Sequence, residues 1–256
     1  EEELCPAIQK EAERKEIDIT SARKEVTSEQ LIDELSYPEF EPNIRLALTI
    51  LRACGLSDEV IAQGLKKVKP DSGCPRMWEK SFDDLGKKVY LVSLFAANDP
   101  QSSLQAMLKI MDRTGWRWRT VYGLLCFRRD RGDRTRQWVD FLVEKWQEGV
   151  LADQQSDAQG RLELAGLALE GPGAIAAGRY LKKKLQGQPS GPPLFIVRSS
   201  SPEAVLRDIL THFSSFSGEK GFSPQPGPLV FGLGNIVGFG QEMIDYLERK
   251  ANAVEL

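Results

Sequence analysis

Val89-Tyr90-Leu91-Val92-Ser93-Leu94-Phe95-Ala96-Ala97-Asn98-Asp99-Pro100-Gln101-Ser102-Ser103 carries the pattern on which the reading of this chain turns. From Val89 to Leu94 the run is nearly all apolar, short and rich in β-formers, which predicts a strand covered on both faces of a sheet. It breaks at Asn98-Asp99-Pro100, a turn signal. Ser102 or Ser103 is then placed to cap an amphipathic helix through Leu104, Met107, Leu108 and Met111. A strand that enters a helix through a polar turn puts Asn98 and Asp99 at the carboxyl end of that strand, where open α/β sheets bind ligands.

The same unit recurs down the chain. Strand patterns over residues 89–94, 121–127, 162–169, 194–197 and 229–232 are each followed by a helical one, over 104–111, 136–146, 174–185, 202–212 and 241–251. Five strands alternating with five helices predict an α/β fold with a Rossmann-like, mostly parallel sheet of about five βα units. Right-handed crossovers bring all five strand-to-helix loops to one edge. Upstream the pattern is helical and more broken: a charged helix over 4–15, a short strand over 17–20, a helix over 29–35, one from Asn43 to a stop at Gly55, and one from Ser57 to Lys67. Residues 69–75, KPDSGCP, read as a linker. Two domains follow from this: residues 1–75, a small helical lobe, and residues 76–256, the sheet-bearing domain.

Polar or glycine-rich residues fill the five loops: AANDPQ (96–101), RRDRGDR (128–134), EGPG (170–173), RSSS (198–201) and GLGNIVG (232–238). Loops in general are polar, but five of them on one edge make a site. Arg128, Arg129, Asp130, Arg131, Asp133, Arg134 and Arg136 place five arginines and two aspartates within nine residues. Guanidinium forks grip phosphate or carboxylate with two parallel bonds, so this loop suits an anionic substrate; an internally paired, solvated charge loop is the other reading. Gly234 and Asn235, with glycines on either side, let a backbone approach a ligand and offer amides at a helix start, though tight packing demands glycine as well. The motif is not the GxGxxG fingerprint of dinucleotide-binding folds. Asp99, Asp130 and Asp133 are of the type that holds magnesium or acts as a base, and of the type that caps turns. His212 shares a helix with Leu206, Ile209 and Phe213 and reads as structural, and Trp116, Trp118, Trp138 and Trp146 read as core or interface aromatics.

At 256 residues the chain has room for one large domain or a smaller one with an appendage, and its formal charge of −3 argues against a general nucleic-acid or membrane-surface role. Four cysteines without CxxC spacing and a single histidine disfavour a His/Cys zinc site and suggest reduced thiols in a cytoplasmic protein. No apolar run approaches the roughly 20 residues that span a bilayer. No phosphate-binding P-loop motif occurs. The chain opens on Glu1-Glu2-Glu3 inside a helical pattern, which reads as a piece of a longer protein.

Three blocks, FAANDPQSS (95–103), RRDRGDRTRQ (128–137) and FGLGNI (231–236), in this order and spacing, resemble the C-terminal half of the poly-γ-glutamate synthase ligase subunit, a capsule-synthesis member of the Mur ligase superfamily. The resemblance covers nearly the whole chain. It implies an ATP-dependent amide ligase in which a carboxylate is phosphorylated and an amino group attacks the acyl phosphate, with ATP and magnesium bound mainly by a P-loop domain upstream. By the same resemblance residues 1–75 are the tail of the central ATPase domain and residues 76–256 the domain that closes over the nucleotide. Asn43 falls where the superfamily has an adenine-contacting asparagine, Arg76 where it has an arginine that reaches the ATP phosphates, and Asn98 and Asp99 in the loop that faces the nucleotide. The arginine loop becomes the candidate holder of glutamate or polyglutamate carboxylates. Partners implied are membrane subunits of a capsule-synthesis complex at the inner face of the cell membrane; self-association stays open. The chain departs from its relatives at Trp116-Arg117-Trp118 and over 218–227, where it carries extra loop. A non-catalytic α/β module that binds an anionic ligand, and another Mur-type amino-acid ligase, are the alternative readings.

Overall fold

A computed structural model of the protein describes residues 5–19, 22, 41–68, 73–97, 99–115, 121–148, 164–186, 193–214 and 227–254. The helix expected over 29–35, Asn98, the Trp116-Arg117-Trp118 turn and most of the 218–227 loop lie outside the described residues. The chain divides into two compact units, Glu1–Pro70 and Asp71–Leu256.

In the first unit the described residues form α1 (Cys5–Arg14), α2 (Glu41–Ala53) and α3 (Asp58–Leu65). Ile44 and Leu48 of α2 meet Ile61 of α3 in a small core. Gly55 turns the chain between them at φ 84°. Arg52 grips Asp58 across that turn, Nε to Oδ1 at 2.8 Å and a terminal nitrogen to Oδ2 at 3.0 Å. No strand forms over 17–19, contrary to expectation. Glu16 closes α1 in the left-handed region at φ 54°, and the Ile17 amide donates back to the Ala12 carbonyl at 2.9 Å. Ile17 and Ile19 leave that turn 56% and 50% exposed, with no strand partner among the described residues.

The second unit is a seven-stranded sheet: β1 (Arg76–Phe82), β2 (Lys87–Ser93), β3 (Val121–Cys126), β4 (Gly166–Glu170), β5 (Leu194–Ile196), β6 (Leu229–Gly234) and β7 (Asn252–Val254). Their spatial order is β5-β4-β3-β6-β2-β1-β7. β5, β4, β3, β6 and β2 run parallel, β1 pairs antiparallel to β2, and β7 antiparallel to β1. The five expected βα units are present, with α4 (Pro100–Arg113), α5 (Gly132–Gln147), α6 (Ala174–Lys184), α7 (Pro202–Ser214) and α8 (Gln241–Lys250) as their helices. The fold is Rossmann-like α/β.

Strand residues alternate between two buried faces, which is why the central strands read as continuous apolar runs. Leu91, Leu124, Ala168 and Val230 join Val205, Leu206 and Ile209 of α7 and Met243, Ile244 and Leu247 of α8 in one core. On the opposite face α4, α5 and α6 pack against one another in series. There Gly178 of α6 sits so close to Ile196 and Leu169 that an added Cβ would lie 2.8 Å from the Ile196 Cδ1. The chain crosses from β2 to β3, walks outward through β4 to β5, then returns to lay β6 between β2 and β3. α8, which leaves β6, therefore lies on the face opposite α4 and α5, which leave its neighbours β2 and β3, and the crevice at the carboxyl end of β6 is the switch point where such sheets bind ligands.

Two helix starts differ from expectation. Neither Ser102 nor Ser103 caps α4: Asp99 does, accepting from the Ser102 amide at 2.8 Å with Pro100 in the first turn. Proline pre-set at the first helical position needs no amide partner, so the helix begins earlier than its apolar pattern. α5 begins at Gly132, not Arg136, because Asp133 in its first turn favours the positive helix end. Arg134 and Arg136 thus stand on a helix.

Candidate functional site

Three strand ends lie level at the crevice, since Cys126 of β3 pairs in register with Glu170 of β4 and with Gly234 of β6. The loops that leave them are bound to one another by main-chain contacts. Gly234, at φ 95°, approaches so closely that a Cβ there would lie 2.4 Å from the Cys126 carbonyl oxygen. Gly171, at φ 97°, approaches the Phe127 carbonyl in the same way, a Cβ falling 2.3 Å from its oxygen. The backbone amide and side-chain Nδ2 of Asn235 both donate to the Cys126 carbonyl at 3.2 Å, and Asn235 is 6% exposed. Gly234 and Asn235, expected to meet substrate, tie β3 to β6, with the Asn235 Nδ2 on the Cys126 carbonyl.

The arginine loop divides. Arg128 holds Asp130 with a two-pronged pair, Nε to Oδ1 at 2.9 Å and a terminal nitrogen to Oδ2 at 2.6 Å, which keeps the Asp130 carboxyl below its usual range. Arg131 faces Asp133 at 3.7 Å and Arg136 faces Asp140 at 3.5 Å. Arg129 and Arg134 make no hydrogen bond or ion pair with any of the described residues. Arg128, Asp130, Arg131 and Asp133 are thus internally paired, and Arg129 and Arg134 are the arginines of the loop with no partner among the described residues.

The nucleotide candidates are placed as follows. Arg76 opens β1 opposite Ser93, at the carboxyl end of β2. Its guanidinium stacks over Trp78 with Cζ 5.4 Å from the ring centre and pairs with Glu248 at 2.6 Å, while its Nε is buried with no hydrogen-bond partner. A guanidinium fork suits a phosphate in chemistry, and this Nε is buried away from solvent. Asn43 lies on an exposed position of α2 in the first unit. Asn98 lies outside the described residues. Asp99 has both carboxylate oxygens engaged, Oδ1 by the Ser102 amide and Oδ2 by the Ser102 hydroxyl at 2.7 Å, and its carbonyl accepts from the Ser103 hydroxyl at 3.1 Å. The Asp130 and Asp133 carboxylates face arginines. Among the described residues no group of three His, Cys, Asp or Glu side chains converges on a metal-sized site.

One titrating group escaped the sequence reading. Glu170 ends β4 on the crevice, and its carboxyl is pushed up to about 7, first by burial, then by the nearby Glu242 carboxylate, and in part held down by a hydrogen bond from Cys126. The Cys126 thiol is itself pushed up, by burial first and then by Glu170. The signal was there in one respect: Glu170 is the one charged residue closing the apolar run Gly166–Glu170. His212 stacks on Phe195 at 4.4 Å between ring centres. Cys74 and Cys126 are buried thiols and Cys54 an exposed one.

The sequence pattern of the poly-gamma-glutamate synthase CapB C-terminal domain matches residues 80–250, from within β1 to the end of α8. The chain belongs to the poly-gamma-glutamate synthase CapB family. The family is the one its three loop blocks resemble, and the matched part contains all five βα units. The capsule biosynthesis protein CapB of Bacillus anthracis is 30% identical over 139 residues, 54% of this chain and 29% of that protein. The PGA synthase CapB of Bacillus subtilis (strain 168) is 29% identical over 132 residues, 52% of this chain and 33% of that protein. The match to this CapB-family chain thus spans about a third of the length of those relatives. Among its described residues no helix is long and apolar enough to cross a membrane.

Proposed function

We propose that this chain is the C-terminal part of an ATP-dependent amide ligase that joins glutamate residues through γ-linked amide bonds in poly-γ-glutamate capsule synthesis. The observation that carries the reading is the pair Arg129 and Arg134, unpaired among the described residues, at the start of α5 on the carboxyl edge of a CapB-family domain. Two guanidinium groups without internal partners suit the carboxylates of glutamate or of the growing polymer, while Arg128 and Arg131, held by Asp130 and Asp133, shape the loop that presents them. ATP, when bound, supplies the phosphoryl group that activates a carboxylate. Arg76 is the residue of this unit whose chemistry suits its phosphates, with Asn43 assigned to the adenine by resemblance alone. Glu170, able to exchange a proton near neutral pH, stands on the same edge where an incoming ammonium must lose one. Other subunits of a capsule-synthesis complex are the expected partners.

The test uses the protein as its gene encodes it. Glutamate-dependent ATP hydrolysis with formation of γ-linked polymer supports the reading. Arg129→Ala with Arg134→Ala should raise the KM for glutamate at least about tenfold, since each charge-assisted hydrogen bond is worth about 1.5–3 kcal/mol. The KM for ATP should stay put. Hydrolysis indifferent to glutamate sinks the proposal, and polyglutamate binding through these arginines without any ATP turnover favours the non-catalytic module instead.

A further inference from the structure

The helix α6, Ala174-Ile175-Ala176-Ala177-Gly178-Arg179-Tyr180-Leu181-Lys182-Lys183-Lys184, contains no acidic residue. A narrow seam of Ala174, Ala177, Gly178 and Leu181 is buried and anchors it to the sheet. Everything else faces water. Arg179, Lys182 and Lys183, spaced i, i+3 and i+4, share one exposed face, and Ile175 lies on the same stripe one turn earlier, 60% exposed. None of these three cations, nor Lys184, forms an ion pair with a described residue. Elsewhere on the molecule Arg14, Arg52, Arg76, Lys88, Lys145 and Arg207 each meet a carboxylate.

Helix polarity accounts for the lysines of the last turn but not for this pattern. Arg179 sits in the middle of the helix, and like charges at these spacings repel one another with no acid to offset them. Tyr180, 41% exposed, donates its hydroxyl to Asp140 of α5 at 3.1 Å, and Arg136 of α5 faces that same carboxylate at 3.5 Å. α5 and α6 both begin at the carboxyl edge and run side by side. Cations with no ion pair to a described residue therefore stand at the edge, Arg129 and Arg134, and on the adjoining α6, Arg179, Lys182 and Lys183, while Arg136 is paired to Asp140. At about 1.5 Å per residue the 11-residue α6 extends about 16 Å from the crevice.

We propose that the exposed face of α6 is a docking track for a linear polycarboxylate, the glutamyl polymer that the edge site extends. The inference rests on the function proposed above for that site. Each γ-linked residue presents one free carboxylate and a stem of two methylenes. Arg179, Lys182 and Lys183 meet the carboxylates, and Ile175 and the Tyr180 ring meet the methylenes. Lysine suits a polymer that must slide, because its ammonium is a point charge without the fixed fork geometry of arginine. A single isoleucine and one tyrosine ring offer little apolar surface to insert into a lipid layer, and the continuity with the edge arginines points to the polymer instead.

The experiment uses the protein as its gene encodes it and the triple variant Arg179→Gln, Lys182→Gln, Lys183→Gln, which keeps helix-compatible side chains and removes charge. Fluorescently labelled poly-γ-glutamate is titrated at low and at high salt, in parallel with free glutamate turnover and product length. The expected result is salt-sensitive polymer binding weakened at least tenfold in the variant, shorter products, and an unchanged KM for free glutamate. Polymer binding unchanged in the variant overturns the track whether or not the protein proves to be a ligase. Loss of binding to phosphatidylserine vesicles with polymer binding intact also overturns it and gives the face to a membrane. A protein that makes no polymer yet loses polymer binding in the variant refutes the ligase reading while leaving the docking face in place.

Discussion

Replacing Glu170 with glutamine should change how stability depends on pH, and the sign follows from the crevice. In the folded protein the Glu170 carboxyl titrates at about 7, against an ordinary value of 4.5. Between those values the folded state holds a proton that the unfolded chain has released. Its favourable contribution is complete below about 4.5, declines as pH rises, and is gone above about 7. A full displacement of this size corresponds to about 3 kcal/mol. The carboxyl is only partly buried, so solvent screening reduces the expected effect to about 1–2 kcal/mol. Glutamine is neutral throughout and can still accept the hydrogen bond from the Cys126 thiol, which burial keeps protonated.

Urea unfolding of wild type and Glu170→Gln, followed by tryptophan fluorescence at intervals from pH 4.5 to 8, isolates the effect as a difference between two curves. The two proteins should be about equally stable near pH 5, and the variant about 1–2 kcal/mol more stable at pH 8. Glu79, Asp84, Asp130 and Glu203 titrate below their ordinary range through basic partners, so their contributions change in more acidic solution and do not mask the window. Glu242→Gln should give a shallower version of the same result, because it removes the second cause of the shift and leaves burial in place. A Glu170→Gln variant whose stability runs parallel to wild type across the whole range would refute the reasoning, since the Glu170 carboxyl would then titrate alike in the folded and unfolded chain.

At the start of α4, Asp99→Ala should lower stability by about 1 kcal/mol in thermal unfolding, while Asp99→Ser, which keeps a capping oxygen but no charge, should lose only a few tenths. Equal losses in both would show that charge, not capping, is what Asp99 provides. Gly171→Ala forces a side chain into φ 97° with its Cβ 2.3 Å from the Phe127 carbonyl oxygen, and should destabilise by more than the roughly 1–3 kcal/mol of backbone strain alone. Wild-type melting of that variant would show that the β3 and β4 loops are free to separate.

How far the fold was legible follows from where each strand sits. β2, β3, β4 and β6 are buried on both faces, so their sequences are apolar runs that end at turn signals, and each leads into a helix of 3.6-residue period. β1 breaks that rule. It lies beyond β2 with Glu79 and Lys80 in mid-strand, and it follows a linker, so Arg76 reads as the end of a connection and not as the first residue of a strand. β7 is three residues long and leaves Asn252 and Ala253 exposed, too little for any periodicity. At the site, the crevice and its arginines were legible because loops of parallel strands must share one edge. What Asn235 and Glu170 do was not, because both depend on the register that sets Cys126 beside Gly234 and Glu170, residues far apart in the chain.

The pairing within the arginine loop has a simple origin in its spacing. Residues 128–136 read as three triplets, Arg128-Arg129-Asp130, Arg131-Gly132-Asp133 and Arg134-Thr135-Arg136. In the first two, an aspartate stands two residues after an arginine and turns back to meet it, at 2.6 Å for Arg128 and 3.7 Å for Arg131. Arg129 has no such acid, since Arg131 occupies the place two residues on, and Arg134 has none because the third triplet ends in Arg136, which instead faces Asp140. The two cations left over stand on either side of the α5 start, where the unsatisfied amides of the first helical turn add positive potential of their own. Among the described residues local pairing thus fixes the loop and leaves Arg129 and Arg134 without a carboxylate partner, and the positive end of α5 adds to both.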